Sequence, residues 1–297
     1  KKFCKDTDRT CEYIDEDSEV YPIDTKNLAS ALSLPIEPRD YQYLASSVGL
    51  TKKRTVLISP TASGKSLIIY MLVRQFIDYQ NLKGLIIVPT TSLVEQLYSD
   101  FQDYSSENKW KVDKNCQKLY SGFPKDFQSN VLITTWQSIF RQPSAWFKQF
   151  DVIFGDEAHN FKAKSLTSVM EKLSTCRYRT GTTGTLDNSK VHKLVLEGVF
   201  GPVHKVISTK ELMDSNRVAK LKIKCLLLKY DDMTRQIVNK STYQEEMDFI
   251  VKHESRNKFI RNLTLSCDGN TLVLFQYVEK HGKVLYDMIK DKVHENR

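Results

Sequence analysis

Four short runs of nearly pure apolar residues set the tightest limit on the fold. They lie at 55–58, 84–88, 131–134 and 151–154 and are rich in Val, Ile and Leu. Strands covered on both faces have this composition, and parallel sheets are covered on both faces. Stretches of helical character separate them, at 66–78, 92–104, 138–149 and 166–173. This alternation predicts an α/β fold, a doubly wound parallel sheet, with ligands beyond the carboxyl ends of the strands. After Gly201-Pro202 the pattern restarts, with strands expected at 221–230 and 271–276 and helices at 242–265 and 279–290. Two strands and two helices cannot close such a sheet, so this second unit reads as an incomplete α/β domain. The expected division is 1–34, the end of an earlier domain with an acidic linker; 35–212, the first α/β domain; and 213–297, the start of the second.

Composition supports a folded chain and narrows its partners. Hydrophobic residues are 40% and charged residues 27%, which excludes disordered, collagen-like and membrane chains. No apolar run approaches the ~20 residues needed to span a bilayer, so no membrane role is expected. The net charge is +8, although residues 1–34 hold five basic and eight acidic side chains. The rest of the chain is therefore strongly basic, which favours a polyanion, nucleic acid first; a solvated basic face is the plainer alternative. The six cysteines form no CxxC pair and resemble no zinc site. They read as reduced thiols of a reducing compartment, the cytoplasm. The chain opens on Lys1-Lys2-Phe3 without Met and is expected to be a piece cut at both ends.

The chemistry concentrates in two motifs. Ser59-Pro60-Thr61-Ala62-Ser63-Gly64-Lys65-Ser66 follows an apolar strand and opens a helix, as a phosphate-binding loop must. Backbone N–H groups of Thr61 to Lys65 can face phosphate oxygens at a helix N-terminus. Lys65 would neutralise the β and γ phosphates of ATP, and Ser66 would ligate Mg²⁺. Ser59 stands where the general pattern has Gly, and a tight turn with a surface lysine is the competing explanation. Asp156-Glu157-Ala158-His159 ends the run at 151–154. Asp156 could hold Mg²⁺ and Glu157 could orient or deprotonate water. Alone, such a pair is more often a solvated turn; the phosphate loop upstream shifts the balance.

Taken in order, these motifs resemble those of superfamily 2 helicases, the DExH group, over about residues 36–290. Arg39-Asp40-Tyr41-Gln42 resembles the upstream glutamine element that reads adenine, which implies ATP-binding roles for Arg39 and Gln42. Pro89-Thr90-Thr91, Ser121-Gly122 and Thr135-Trp136-Gln137 resemble nucleic-acid-contacting elements of the first motor domain. Thr183-Gly184-Thr185 occupies the place of the element that couples hydrolysis to movement, with His159 beside the catalytic carboxylates. Phe275-Gln276 resembles the first element of the second motor domain. Each has a plainer explanation: a helix cap at Pro89-Thr90-Thr91, a turn at Thr183-Gly184-Thr185, core packing for Trp136 and Phe275. Within the superfamily, 87–91, 135–138, 142–147 and 240–246 resemble phage recombination and replication-fork helicases.

The resemblance implies an ATP- and Mg²⁺-dependent motor on single-stranded, forked or branched DNA, or on RNA–DNA hybrids, in the host-cell cytoplasm. Neutral hydrogen-bonding residues such as Thr90, Thr91, Ser121, Thr135 and Gln137 suit phosphate and sugar contacts, which carry no sequence information. A restriction-system motor, an RNA helicase and a non-motor nucleic-acid binder are the alternatives. Two later family motifs, one carrying its arginine finger, would lie beyond Arg297. The chain is therefore expected to bind Mg-ATP and nucleic acid weakly and to unwind nothing. Nothing in the sequence indicates an oligomeric state.

Overall fold

The computed structural model describes residues 25–121, 126–186 and 190–292. The chain divides between Lys220 and Leu221 into two compact units.

The first unit is built on seven parallel strands: β1 Arg54–Ile58, β2 Gly84–Val88, β3 Cys116–Leu119, β4 Val131–Thr135, β5 Val152–Gly155, β6 Tyr178–Thr183 and β7 Val203–Lys205, in the order β3-β4-β2-β5-β6-β1-β7. The four apolar runs are β1, β2, β4 and β5. Side chains alternate between faces, so Ile86 and Val88 enter one apolar layer and Leu85 and Ile87 the other. One layer is covered by α1 Thr25–Leu32, α2 Asp40–Thr51, α3 Lys65–Arg74, α4 Thr91–Tyr104 and the short α5 Val112–Asn115. The other is covered by α6 Trp136–Ile139, α7 Ser144–Phe147, the 3-10 segment Ala158–Lys162, α8 Lys164–Lys172 and α9 Lys190–Val199. The short α10 Thr209–Asp214 follows β7.

Several elements differ from expectation for identifiable reasons. Leu28, Ala29 and Leu32 of α1 are buried in the first unit's core, so 25–32 is part of this unit rather than linker. The acidic residues before it lie outside the described residues. The helix expected at 138–149 is two single turns, because Pro143 has no N–H to continue a helix and instead precedes α7. Strand β6 escaped sequence reasoning because its sequence, YRTGTT, is polar, yet it is almost wholly buried. A Cβ on Gly181 would sit 3.0 Å from Ala158 Cβ and 3.2 Å from the Phe200 ring. A side chain there would require those neighbours to give way by a few tenths of an ångström.

The second unit contains α11 Asp232–Val238, α12 Tyr243–Lys252, α13 Glu254–Leu265 and α14 Lys283–Ile289, the last led by a π turn at Val278–Gly282. The long helix expected at 242–265 breaks at His253, whose ring accepts the Arg256 N–H and caps α13. Contrary to expectation, 221–230 and 271–276 form no strand. A strand requires a neighbour to take its backbone hydrogen bonds, and no strand is found among the described residues of this unit. Their apolar side chains are consequently exposed, Leu227 at 87% and Leu274 at 84%. Among the described residues no helix is long and apolar enough to cross a membrane. Cys116 and Cys176 are buried free thiols, whereas Cys225 and Cys267 are exposed ones.

Candidate active site

Parallel pairing brings the carboxyl ends of all the strands to one edge, and the expected site residues gather there. Ile58 of β1 is in register with Thr183 of β6, and Gly155 of β5 with Gly181. The loop after β1 therefore lies beside the end of β6, and Asp156-Glu157 follows β5 on the far side.

The loop after β1 is locked from within. Ser59 N–H donates to Thr183 O at 2.8 Å, and the Ser59 and Ser63 hydroxyls are 2.6 Å apart. Ser63 Oγ also donates to Pro60 O at 2.5 Å. Ser59, the departure from the general glycine, is thus a buried brace for Ser63. Ala62 and Gly64 adopt left-handed φ values of +64° and +75°. Alternating left- and right-handed residues turn successive N–H groups into one concavity, the geometry that holds phosphate. Gly64 is the N-cap of α3, so Lys65 and Ser66 occupy its first turn, where partial positive charge favours anions.

The upstream element grips this loop. Gln42 Nε2 donates to Ser63 O at 3.0 Å and Gly64 O at 3.3 Å, while its Oε1 accepts from Arg39 N–H at 2.8 Å. Tyr41 OH donates to Ser63 O at 3.0 Å and receives Arg39 Nη1 at 2.6 Å. Arg39, Gln42, Ala62 and Gly64 also line a cavity of about 840 Å³, spacious enough for a nucleoside.

The carboxylates face the loop. Glu157 has a left-handed φ of +48° immediately after β5. Its carboxylate reaches Lys65 Nζ at 3.8 Å and His159 Nδ1 at 3.3 Å. His159 Nδ1 is also 3.0 Å from Thr183 Oγ1, whose hydroxyl proton goes to Thr185 O at 2.9 Å. Thr182 Oγ1 donates to Asp156 Oδ1 at 2.8 Å. Gly184 packs beside the loop, its Cβ position 3.6 Å from Thr61 N. Ser66 Oγ lies 2.9 Å from Tyr104 OH. Burial raises the Asp100 carboxyl above its usual range and raises the Tyr104 phenol as well. The Ser66 hydroxyl and Asp156 carboxylate are hard oxygen donors, which fits Mg²⁺ and not a thiophilic metal. Sequence reasoning missed Thr182 and Tyr104, which packing brings to Asp156 and Ser66; Tyr41 lay inside the quoted element.

The expected nucleic-acid residues form a second group. Pro89, Thr90 and Thr91 follow β2, Ser121 follows β3, and Thr135-Trp136-Gln137 follow from β4. These three strands are the adjoining half-sheet β3-β4-β2. Thr90, Thr91, Ser121 and Gln137 are exposed. Thr90 caps α4 by accepting Leu93 N–H. Thr135 is buried, its hydroxyl 3.0 Å from Ser138 Oγ. Trp136 is half-buried, edge-on to Phe140 at 5.8 Å, and lines a cavity of about 250 Å³ with Pro89, Phe161 and Asp156. Phe275 and Gln276 belong to the second unit, where the Phe275 ring covers Gly282. Gly122 lies outside the described residues.

Comparison with known proteins accords with this geometry. A family model described as "Type III restriction enzyme, res subunit" matches residues 35–188, just over half of the chain. The chain belongs to that family. It is also 36% identical, over 264 residues, to the ATP-dependent DNA helicase uvsW of Enterobacteria phage T4, covering 86% of this chain and 52% of the relative. Two crystal structures of UvsW from bacteriophage T4 are similar at 32% identity. One aligns at TM-score 0.59 over 99% of this chain and 60% of that chain, the other at 0.58 over 69% and 75%. The chain spans about half the length of the curated relatives it matches. Its first unit has the recombinase-like α/β fold of a helicase motor domain.

Proposed function

We propose that the chain is part of an ATP-dependent DNA helicase or translocase that remodels branched DNA or R-loops in phage replication, recombination and repair. In this reading residues 35–212 form the ATP-binding motor domain and 213–297 begin a second motor domain. The observation that carries it is the convergence of Lys65, Ser66, Asp156 and Glu157 at one sheet edge, with Lys65 Nζ 3.8 Å from Glu157. ATP is the substrate. The loop N–H groups and Lys65 bind its phosphates, and Arg39 and Gln42 line the cavity for its base. Mg²⁺, when bound, neutralises phosphate charge, and Ser66 and Asp156 would hold it.

Glu157 takes the proton of an attacking water. His159 orients Glu157 and, through Thr183, joins it to the end of β6. Changes at the carboxylate therefore reach Thr183-Gly184-Thr185, which supports a coupling role there. The exposed hydroxyls after β2 and β3 and the Gln137 amide suit sugar–phosphate contacts without base readout. Such binding weakens steeply with salt. The DNA substrate lies in the host-cell cytoplasm.

The test is ATP hydrolysis with and without forked DNA, beside Lys65→Ala. Hydrolysis that DNA stimulates and the variant loses supports the motor; DNA binding indifferent to nucleotide overturns it. The family description favours one second reading, the motor of a restriction system. Cleavage of DNA by the full protein would select it.

A further inference from the structure

We propose that Gln42 serves the triphosphate and not the base: it is a positioning residue that aims two phosphate-binding N–H groups and leaves base identity unread. The inference rests on the reading of this loop as a nucleotide site and gives a different task to the glutamine that the family resemblance links to adenine.

A primary amide has two protons to donate and one oxygen to accept with. Reading the edge of a base takes a donor and an acceptor together. Gln42 has spent both donors, one on Ser63 O at 3.0 Å and the other on Gly64 O at 3.3 Å. Its Oε1 receives the Arg39 N–H at 2.8 Å. Exchanging the oxygen and nitrogen of the amide would set an acceptor against two carbonyls and a donor against an N–H, so the network fixes this orientation. The residue is only 4% exposed. Gln42 could read a base only by giving up bonds that hold the loop.

Those bonds reach the phosphates through the peptide plane. In a trans peptide the C=O and the N–H point in opposite directions. Holding Ser63 O and Gly64 O toward the Gln42 amide therefore turns the N–H groups of Gly64 and Lys65 away from it, where phosphate oxygens can reach them. Both groups are unclaimed by the protein. Ser63 N–H is spent on Pro60 O at 3.2 Å, whereas the N–H groups of Gly64 and Lys65 have no backbone acceptor among the described residues. Tyr41, the preceding residue on α2, adds a second donor to Ser63 O at 3.0 Å.

The experiment is displacement of a fluorescent ATP analogue from the full chain by ATP, by GTP and by inorganic tripolyphosphate, which has no base. Gln42→Ala, Tyr41→Phe and Lys65→Ala are compared with the unmutated chain. We expect Gln42→Ala to weaken all three ligands alike, by about 10-fold, because two bonds to the loop are lost. The ratio of ATP to GTP affinity should stay within about twofold of its unmutated value. Tyr41→Phe removes one bond to the loop and keeps the ring, so it should weaken all three by about threefold. It decides the matter even where Gln42→Ala fails to fold. A loss confined to ATP, a shift in the ATP-to-GTP ratio beyond that range, or unchanged tripolyphosphate affinity in the folded variants overturns the proposal and leaves the nucleotide site standing. A chain that binds no analogue, or a Lys65→Ala variant that binds tripolyphosphate undiminished, overturns the parent reading as well.

Discussion

Replacing Gly64 by Ala isolates two physical costs that the phosphate loop combines. The first is backbone: φ is +75°, and a side chain in the left-handed region costs roughly 1–2 kcal/mol. The second is contact: the new Cβ would lie 2.3 Å from Gln42 Nε2, so the amide must leave. Its hydrogen bonds to Ser63 O and Gly64 O go with it, at about 0.5–1.5 kcal/mol each. Together these predict a loss of about 3 kcal/mol. For a unit of some 200 residues that is a fall in Tm of roughly 6–12 °C, at about 2–4 °C per kcal/mol. The assay is chemical denaturation of Gly64→Ala, Gln42→Ala and the double variant. With Gln42 already truncated, Gly64→Ala should cost only the backbone share, about 1–2 kcal/mol. Equal costs in both backgrounds would refute the contact argument, and a single-variant loss below about 0.5 kcal/mol would refute both.

Glu157→Gln should retain nucleotide binding and lose about 10²–10⁴-fold in hydrolysis, checked by single-turnover kinetics; a loss under tenfold would remove Glu157 from the base role. Arg179 is buried and donates to Leu173 O at 2.7 Å, Val199 O at 3.2 Å and Cys176 O at 3.4 Å. Arg179→Met should cost about 3–5 kcal/mol in urea unfolding, because three carbonyls lose their donor. Burial pushes the Cys176 thiol up to about 12 and the Cys116 thiol up further still. Above pH ~8.5 the unfolded thiols ionise while the folded ones do not, so the unfolded state holds fewer protons and stability falls as pH rises. Each thiol should contribute a decline of about 1.4 kcal/mol per pH unit from ~8.5 upward, and Cys176→Ala should remove its share. Alkylation mapped residue by residue at pH 8 should mark Cys225 and Cys267 in the native chain, and Cys116 and Cys176 only after unfolding.

The strands that become β1, β2, β4 and β5 were legible from residue order alone, because an unbroken run of Val, Ile and Leu can be satisfied only by burial on both faces. Residue order determined the phosphate loop as well, since Gly64-Lys65-Ser66 between strand and helix is a local arrangement that neighbours in sequence complete. What it left open depended on residues distant in the chain. Strand β6 is polar and becomes buried only because Phe200, Ala158 and the flanking strands cover it. Residues 221–230 and 271–276 have strand-like composition and form none among the described residues, because a strand is made by its partner as much as by itself. Most of the site's geometry is of this kind. Lys65 and Glu157 are 92 positions apart, and Ser66 meets Tyr104 across 38, so only the register of a parallel sheet and the packing of α3 on α4 could bring these groups within reach.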